Sequence, residues 1–355
     1  MGNSTISGLV GWRSPSNIAL VKYWGKYGSQ LPRNPSISFT LSQAFTETII
    51  QYESIDYAQD QIQIDFYFEG KPNEAFKLRI ESFLNDNIES FPFLRHLHLS
   101  VESRNSFPHS SGIASSASSM SALCLCIASL SRLQSDKDTG SEDFLRRASS
   151  ISRLASGSAC RSVYPEVAAW GHTTFIEHSH DEYAVPITGL HENYRDYHDD
   201  ILIISVDEKS VSSTAGHKLM DTNPFADQRY AQAKANMGDM YAALLSGDTH
   251  ELGRLMESEA LTLHALMMCS DPSFILMKAN TLQVIEKIRQ YRQDTGQALY
   301  FTLDAGPNVH LLYPHSISSD VSLFVNSELR PLCQDQKIIH DRIGQGPVQI
   351  KSFSL

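Results

Sequence analysis

Residues 96–130 carry two apolar periodicities separated by a polar loop, and any fold of this chain must satisfy both. In "HLHLSVES", Leu97, Leu99 and Val101 fall on every second residue, the pattern of a strand with one buried face. Met120, Leu123, Ile127 and Leu130 then recur at helical spacing. Between them lies "RNSFPHSSGIASSASS", with a proline, a glycine and paired serines. A strand, a Ser/Gly loop and a helix therefore follow one another. Free N–H groups at a helix start, together with hydroxyls, suit phosphate oxygens. The same serines serve equally as helix caps. The pattern GxxxxGK[ST] is absent, so a nucleotide bound here is not bound by a P-loop.

Other segments extend the mixed architecture. "IQIDFYF" (62–68) alternates as a strand, and "ILIISV" (201–206) is a continuous apolar run expected to be a strand covered on both faces. Tyr230, Ala233, Met237, Met240 and Leu244 mark one amphipathic helix, and "FILMKANTLQVIEKIRQYR" marks another. The polar stretch "PITGLHENYRDYHDD" (186–200) is the expected boundary, giving an N-terminal lobe 1–190 and a C-terminal lobe 191–355. A chain of 355 residues, 41% hydrophobic, has ample material for such a core. Its net charge of −11 argues against a basic field for nucleic acid or anionic lipid, so an anionic ligand must be held by local donors. Five cysteines form no CxxC pair, the N-terminus lacks an apolar signal core, and no apolar run is long enough to span a bilayer. The expectation is a soluble cytoplasmic protein without nucleic-acid or membrane partners.

Four more motifs bear on chemistry. In "SPSNIALVKYWGKYGSQLPRNPSISFTLS", Lys22 and Lys26 stand four apart around Tyr23 and Trp24; at helical spacing both ammonium groups face one anion, or else they form a solvated basic face. "ASGSACRSVYPE" offers Ser156, Ser158, Ser162 and the bidentate fork of Arg161, against the alternative of a surface salt bridge. Cys160 reads as a packed thiol. "VSSTAG" reads alone as a loop with a helix cap. "LYFTLDAGPNVHLLY" places Asp304 where a strand leaves the core, either as turn chemistry or as a carboxylate that the Gly306-Pro307 turn holds in place. The histidine-bearing runs "HLHL", "EHSHDEYAV" and "YHDD" have no zinc spacing and read as strand or surface histidines.

In order along the chain, "NIALVKYWGK", "NPSISFTLS", "FPHSSGIASSAS", "SGSACRS", "VSSTAG" and "LDAGPN" closely resemble the successive motifs of the diphosphomevalonate decarboxylases, a branch of the GHMP kinase superfamily. The resemblance spans residues 14–314. It implies an α+β, two-lobed GHMP kinase fold with the cleft between the lobes, commonly as a homodimer. It implies ATP and Mg²⁺, with the loop Pro108, Ser111, Gly112, Ala114, Ser115 and Ser116 around the ATP phosphates and Ser116 also near the metal. It places Tyr23, Lys26 and Ser213 on the diphosphate of mevalonate 5-diphosphate, and Ser156 and Ser158 on the substrate. Arg161 falls near the substrate carboxylate, Lys22 near the reacting centre, and Asp304 at the tertiary 3-hydroxyl.

The implied activity is ATP-dependent decarboxylation to isopentenyl diphosphate by way of 3-phosphorylation. Some positions depart from the family pattern. Tyr27-Gly28 follows "KYWGK" in place of Arg-Asp, Pro165-Glu166 replaces a glycine pair, and His109 stands inside the phosphate loop. Thr214 stands where many bacterial members place an arginine. That last departure keeps one alternative open, the same chemistry on mevalonate 5-phosphate; a second is a 3-kinase that stops before decarboxylation, against which Asp304 and Arg161 argue. A catalytically silent binding protein is the alternative from another class.

Overall fold

The computed structural model describes residues 7–107, 115–134, 142–207 and 211–354. From the N-terminus, β1 (Ser7–Val21) passes through a small hairpin, β2 (Lys26–Tyr27) and β3 (Leu31–Pro32), into β4 (Ser36–Ser54). β5 (Ile64–Phe68), β6 (Lys71–Pro72), α1 (Glu74–Asp86) and β7 (Leu97–Asn105) follow. β5 and β7 bury alternate residues, as their sequences predict, and lie parallel with α1 in the connection between them. Next come α2 (Ser115–Leu130), α3 (Glu142–Ala155), a 3₁₀ turn at Gly157–Val163, β8 (Val167–Trp170) and β9 (Ala184–Pro186). The N-terminal sheet runs β6, β5, β7, β4, β1, with β8 and β9 continuing from β4. Met120, Leu123, Ile127 and Leu130 of α2 are buried against Val10, Ile50 and Val101 of this sheet, so the helical and strand periodicities of 96–130 close on one core.

β10 (Tyr197–Leu202) opens the second sheet. It is followed by α4 (Ser213–Leu219), α5 (Ala226–Ser246), α6 (Thr249–Met268), α7 (Ala279–Thr295), β11 (Tyr300–Leu303), β12 (Val309–Pro314), α8 (Ser318–Phe324), β13 (Ile338–Arg342) and β14 (Val348–Ser354). The order is β11, β12, β10, β13, all antiparallel, while β14 crosses back to pair with β1. We retain the division at residues 190 and 191 as a proposal. Among the described residues no helix is long and apolar enough to cross a membrane.

The strand expected at 201–206 begins earlier, at Tyr197, and ends at Leu202. The polar run "YHDD" disguised it. Asp199 and Asp200 are buried because each carboxylate is satisfied: His310 donates to Asp199 at 2.9 Å, and Tyr313 and His340 donate to Asp200 at 2.7 Å each. A third buried carboxylate, Asp341, accepts the backbone N–H groups of Ser42, Gln43 and Ala44 at 2.7–2.8 Å and ties β13 to β4. Ile18, Ile37 and Phe39 share a core with Ile201, Leu312, Met237 and Leu255, so one apolar body runs from sheet to sheet.

Candidate active site

Two strands end where the sheets meet. β1 stops at Val21 and β11 at Leu303, and the next residue of each is charged. Lys22 Nζ donates to Asp304 Oδ1 at 3.1 Å, with the lysine side chain 2% exposed and the aspartate 25%. Burial pulls the Lys22 pKa down from its ordinary value, and the Asp304 carboxylate is the main opposing influence. The 304–308 turn is closed by other groups. Gly306 N–H bonds Asp304 C=O at 2.7 Å, Thr281 Oγ1 donates to Pro307 C=O at 2.7 Å, and Asn308 Oδ1 accepts from Ile204 and Ser205.

Arg161 lies in the 3₁₀ turn after α3, beside this pair and 2% exposed. Its Nε donates to Ser38 Oγ at 3.0 Å, Nη2 to Asn17 Oδ1 at 3.3 Å, and Nη1 to Ser36 Oγ. These acceptors are neutral. A guanidinium buried among hydroxyls and an amide lacks a hydrogen-bonded counter-charge among the described residues. Asn17 also fixes the turn by donating to Ser158 C=O (3.1 Å) and Ser162 Oγ (2.7 Å). The hydroxyls of Ser156 and Ser158 have no protein partner among the described residues. Cys160 is buried and its thiol is pushed up to about 12, so it stays protonated and packs. Pro165-Glu166 forms a fixed link here. Glu166 takes φ +53°, N–H to Gly344 C=O and C=O to Thr40 N–H, so a side chain occupies a backbone conformation that favours glycine.

The expected helical pairing of Lys22 with Lys26 does not form. After Val21 the chain leaves the β1 ladder, turns at Gly25 (φ +93°) and enters β2. Lys22 points to Asp304, while Lys26 Nζ donates to Gln30 Oε1 at 2.9 Å. Tyr23 packs on Trp170 at 4.7 Å, and its buried hydroxyl lacks a partner among the described residues. α4 docks on this segment through Gly216, where a Cβ would meet the Trp24 ring at 2.6 Å, and through His217. The His217 ring lies 4.4 Å from Tyr23 and 4.6 Å from Trp24, and its Nδ1 accepts Gly25 N–H at 2.9 Å. Ser213 and Thr214 sit exposed on the first turn of the same helix.

Desolvation first, then the nearby Lys26 charge, lowers the His217 pKa to about 3. The folded value lies below the ordinary one near 6.5, so the unfolded chain takes up this proton first and stability falls as pH drops from about 6.5. The slope is about 1 kcal/mol per pH unit. We expect the His217 ring to stay neutral from pH 8 to 5 by NMR, and His217→Gln to flatten that part of the stability–pH curve in urea unfolding.

Ser115 and Ser116 open α2 at the rim of an apolar cavity of about 190 Å³ lined by Phe66, Phe68, Phe76, Val101 and Leu123, with Arg79 at its wall. Pro108, Ser111, Gly112 and Ala114, with His109, lie outside the described residues. A hard divalent cation needs oxygen donors, and the Ser116 hydroxyl is one. Among the described residues no three His, Cys, Asp or Glu groups converge as a metal cage. Residues unmarked in the sequence also bond to the main chain of this region. His217, Arg229, Glu259 and His264 lie within helices, where single charged residues read as solvated faces. The only sequence signal was an acid or a base within an apolar stripe.

Two sequence profiles cover this architecture: one described as "Diphosphomevalonate decarboxylase-like N-terminal domain" matches residues 14–182, and "Mevalonate 5-diphosphate decarboxylase C-terminal domain" matches 200–349. The chain belongs to the diphosphomevalonate decarboxylase family. The diphosphomevalonate decarboxylase of Eremothecium gossypii is 31% identical over 84% of this chain and 76% of its own length. That of Saccharomyces cerevisiae is 30% identical over 88% and 79%. The crystal structure of mevalonate diphosphate decarboxylase from Staphylococcus aureus superposes with TM-score 0.81 at 27% identity, covering 98% of this chain and 99% of that one. A structure described as MDDEF in complex with MVAPP, AMPPCP and magnesium gives TM-score 0.81 at 26% identity, covering 98% and 100%. The two-lobed GHMP kinase fold of the family is therefore the fold of this chain.

Proposed function

We propose that this chain converts mevalonate 5-diphosphate and ATP to isopentenyl diphosphate, ADP, phosphate and CO₂. The observation that carries the reading is the Lys22–Asp304 pair at the meeting of two strand ends, with the buried and incompletely neutralised Arg161 beside it. ATP supplies the phosphoryl group; Ser116 would help the nucleotide phosphates hold Mg²⁺, which would supply charge neutralisation there. Asp304 accepts the proton of the tertiary 3-hydroxyl while Lys22 holds that carboxylate in place. Arg161 binds the substrate carboxylate in its fork, aided by the hydroxyls of Ser156 and Ser158. Tyr23, Lys26 and Ser213 take the diphosphate. Ser115 and Ser116, with the loop 108–114, take the ATP phosphates, and the apolar cavity beside α2 accepts the base.

Asp304, 25% exposed, then releases the 3-hydroxyl proton to solvent and is again a carboxylate when the 3-phosphate leaves with the C–O electron pair and positive character grows at C3. The C–C pair released with CO₂ closes the double bond, and the Asp304 charge stabilises the electron-poor centre. The family resemblance extends the proposal to a cytoplasmic homodimer.

Thr214, exposed and neutral on α4, favours a second reading in which the 5-monophosphate is the substrate. Coupled ADP and CO₂ release with both substrates decides. We expect equimolar ADP and CO₂, with kcat/KM for the diphosphate higher by about 10–100-fold, the worth of one charge-assisted hydrogen bond. Preference for the monophosphate would move the product to isopentenyl phosphate. ADP without CO₂ would leave a 3-kinase, and no substrate-dependent ATP turnover would leave a binding protein.

A further inference from the structure

Lys22 and Asp304 come from different lobes, and their separation has to be set by something that holds both. Each sits one residue past the end of its strand, where ladder hydrogen bonds no longer fix the main chain. Lys22 N–H donates to Glu259 Oε2 at 2.9 Å, and Lys22 C=O accepts Asn34 Nδ2 at 3.0 Å and Arg229 Nη2 at 3.2 Å. Asp304 C=O accepts Gly306 N–H and also a ring N–H of His264: its Nε2 lies 3.1 Å away, and because a carbonyl only accepts, that nitrogen carries the proton. Glu259 and His264 are both on α6, five residues and so about 7.5 Å apart along its axis. One helix thus grips the main chain on both sides of the reacting pair.

The grip is itself braced. Arg229 of α5 forms a two-pronged pair with Glu259, at 2.5 and 2.7 Å, and Asn236 Nδ2 adds a bond to Glu259 Oε1 at 2.6 Å. Arg229, Glu259 and His264 are 2%, 0% and 1% exposed. A buried ion pair adds little stability over well-packed apolar residues of similar size, so stability alone does not account for this network. Its fixed directions account for it better.

We propose that Glu259 and His264 are positioning residues that set the Lys22–Asp304 geometry across the cleft. The proposal rests on the decarboxylase reading given above. Glu259 also acts on the charge of Lys22. The groups facing that ammonium are Asp304 and Glu259, which favour its charged form, and Arg161, which opposes it. Removing the Glu259 charge therefore lowers the pH at which Lys22 loses its proton.

The test uses the full chain with mevalonate 5-diphosphate and Mg·ATP. Glu259→Gln keeps an acceptor for Lys22 N–H but loses the charge. We expect kcat to fall about 10²-fold, the cost of a misplacement near 1 Å, with KM for both substrates within threefold. We also expect the alkaline limb of the kcat–pH profile to move to lower pH. His264→Gln, which can still donate to Asp304 C=O, should keep kcat within threefold of the parent, whereas His264→Leu should lose at least tenfold. If Glu259→Gln does not fold, the two His264 variants decide. A thermal shift in any of them with kcat and the alkaline limb unchanged, or equal kcat in His264→Gln and His264→Leu, overturns the positioning role. If the parent chain itself releases no CO₂, it is the decarboxylase reading that fails.

Discussion

Asp304→Asn should abolish turnover, with kcat reduced by about 10³-fold or more and ATP binding unchanged. The substitution keeps the size of the side chain and an acceptor for Lys22 Nζ, so the 304–308 turn, closed by Gly306, Thr281 and Asn308, stays in place. The negative charge and the ability to take a proton are lost. General-base catalysis contributes about 10²–10⁴-fold, and charge placed against a developing cation adds to it. Both roles assigned to Asp304 end together, which makes this the largest single effect expected in the molecule.

A stability cost accompanies it. Lys22 is buried, and Asp304 is the main influence holding up its pKa against desolvation. Stripping a buried charge of its partner costs about 3–5 kcal/mol, and the 25% exposure of Asp304 moves the expected loss to about 2–3 kcal/mol at neutral pH. The sign of the pH dependence follows. Burial sets the folded pKa of Lys22 below its unfolded value, so the penalty is present at low pH and is lifted as pH rises and Lys22 becomes neutral. The stability gap between parent and variant should therefore narrow under alkaline conditions in urea unfolding. A variant that turns over within tenfold of the parent would remove Asp304 from the chemistry.

Periodicity made much of this fold legible. Leu97, Leu99 and Val101 alternate, Met120 to Leu130 follow helical spacing, and both face one core because a period determines which side chains share a surface. It failed at β10. Asp199 and Asp200 look like loop residues until His310, Tyr313 and His340 arrive from other strands to satisfy them. It also failed at Lys22 and Lys26, whose spacing of four suited a helix that the turn at Gly25 forbids. The order of motifs singled out Asp304 as a candidate; the turn around it would look the same with or without a role in chemistry. His217, Glu259 and His264 left no trace beyond an acid or a base within an apolar stripe. What distinguishes them is a main-chain partner far away in sequence, at Gly25, Lys22 and Asp304, and a single sequence records no such pairing.

Arg161→Ala should lower kcat/KM for the acid substrate by about 10²–10³-fold, and Arg161→Lys should recover little of it. Ser36, Ser38 and Asn17 hold three of the five guanidinium donors in one plane, and burial lowers the pKa of the group while Cys160, Asp304 and Tyr23 oppose that shift. A planar fork held this way receives a carboxylate through two parallel bonds, which a lysine ammonium cannot reproduce while also reaching three separated acceptors. Removing one partner of a buried, hydrogen-bonded charge pair costs about 2–5 kcal/mol, which sets the size of the expected loss.

The free enzyme should respond differently from the complex. Without substrate, Arg161 is a buried charge with neutral hydrogen-bond partners, an arrangement that costs free energy and partly offsets the loss of a donor for Ser36, Ser38 and Asn17, so Arg161→Met should destabilise the unliganded chain by only about 1–3 kcal/mol in urea unfolding. The same variant should lose most of the thermal stabilisation that saturating substrate gives the parent. A structural arginine predicts the reverse pattern, with a loss of about 3–5 kcal/mol in the free chain and substrate stabilisation retained. Comparing parent and Arg161→Met with and without mevalonate 5-diphosphate therefore separates a substrate-binding guanidinium from a structural one, without any rate being measured.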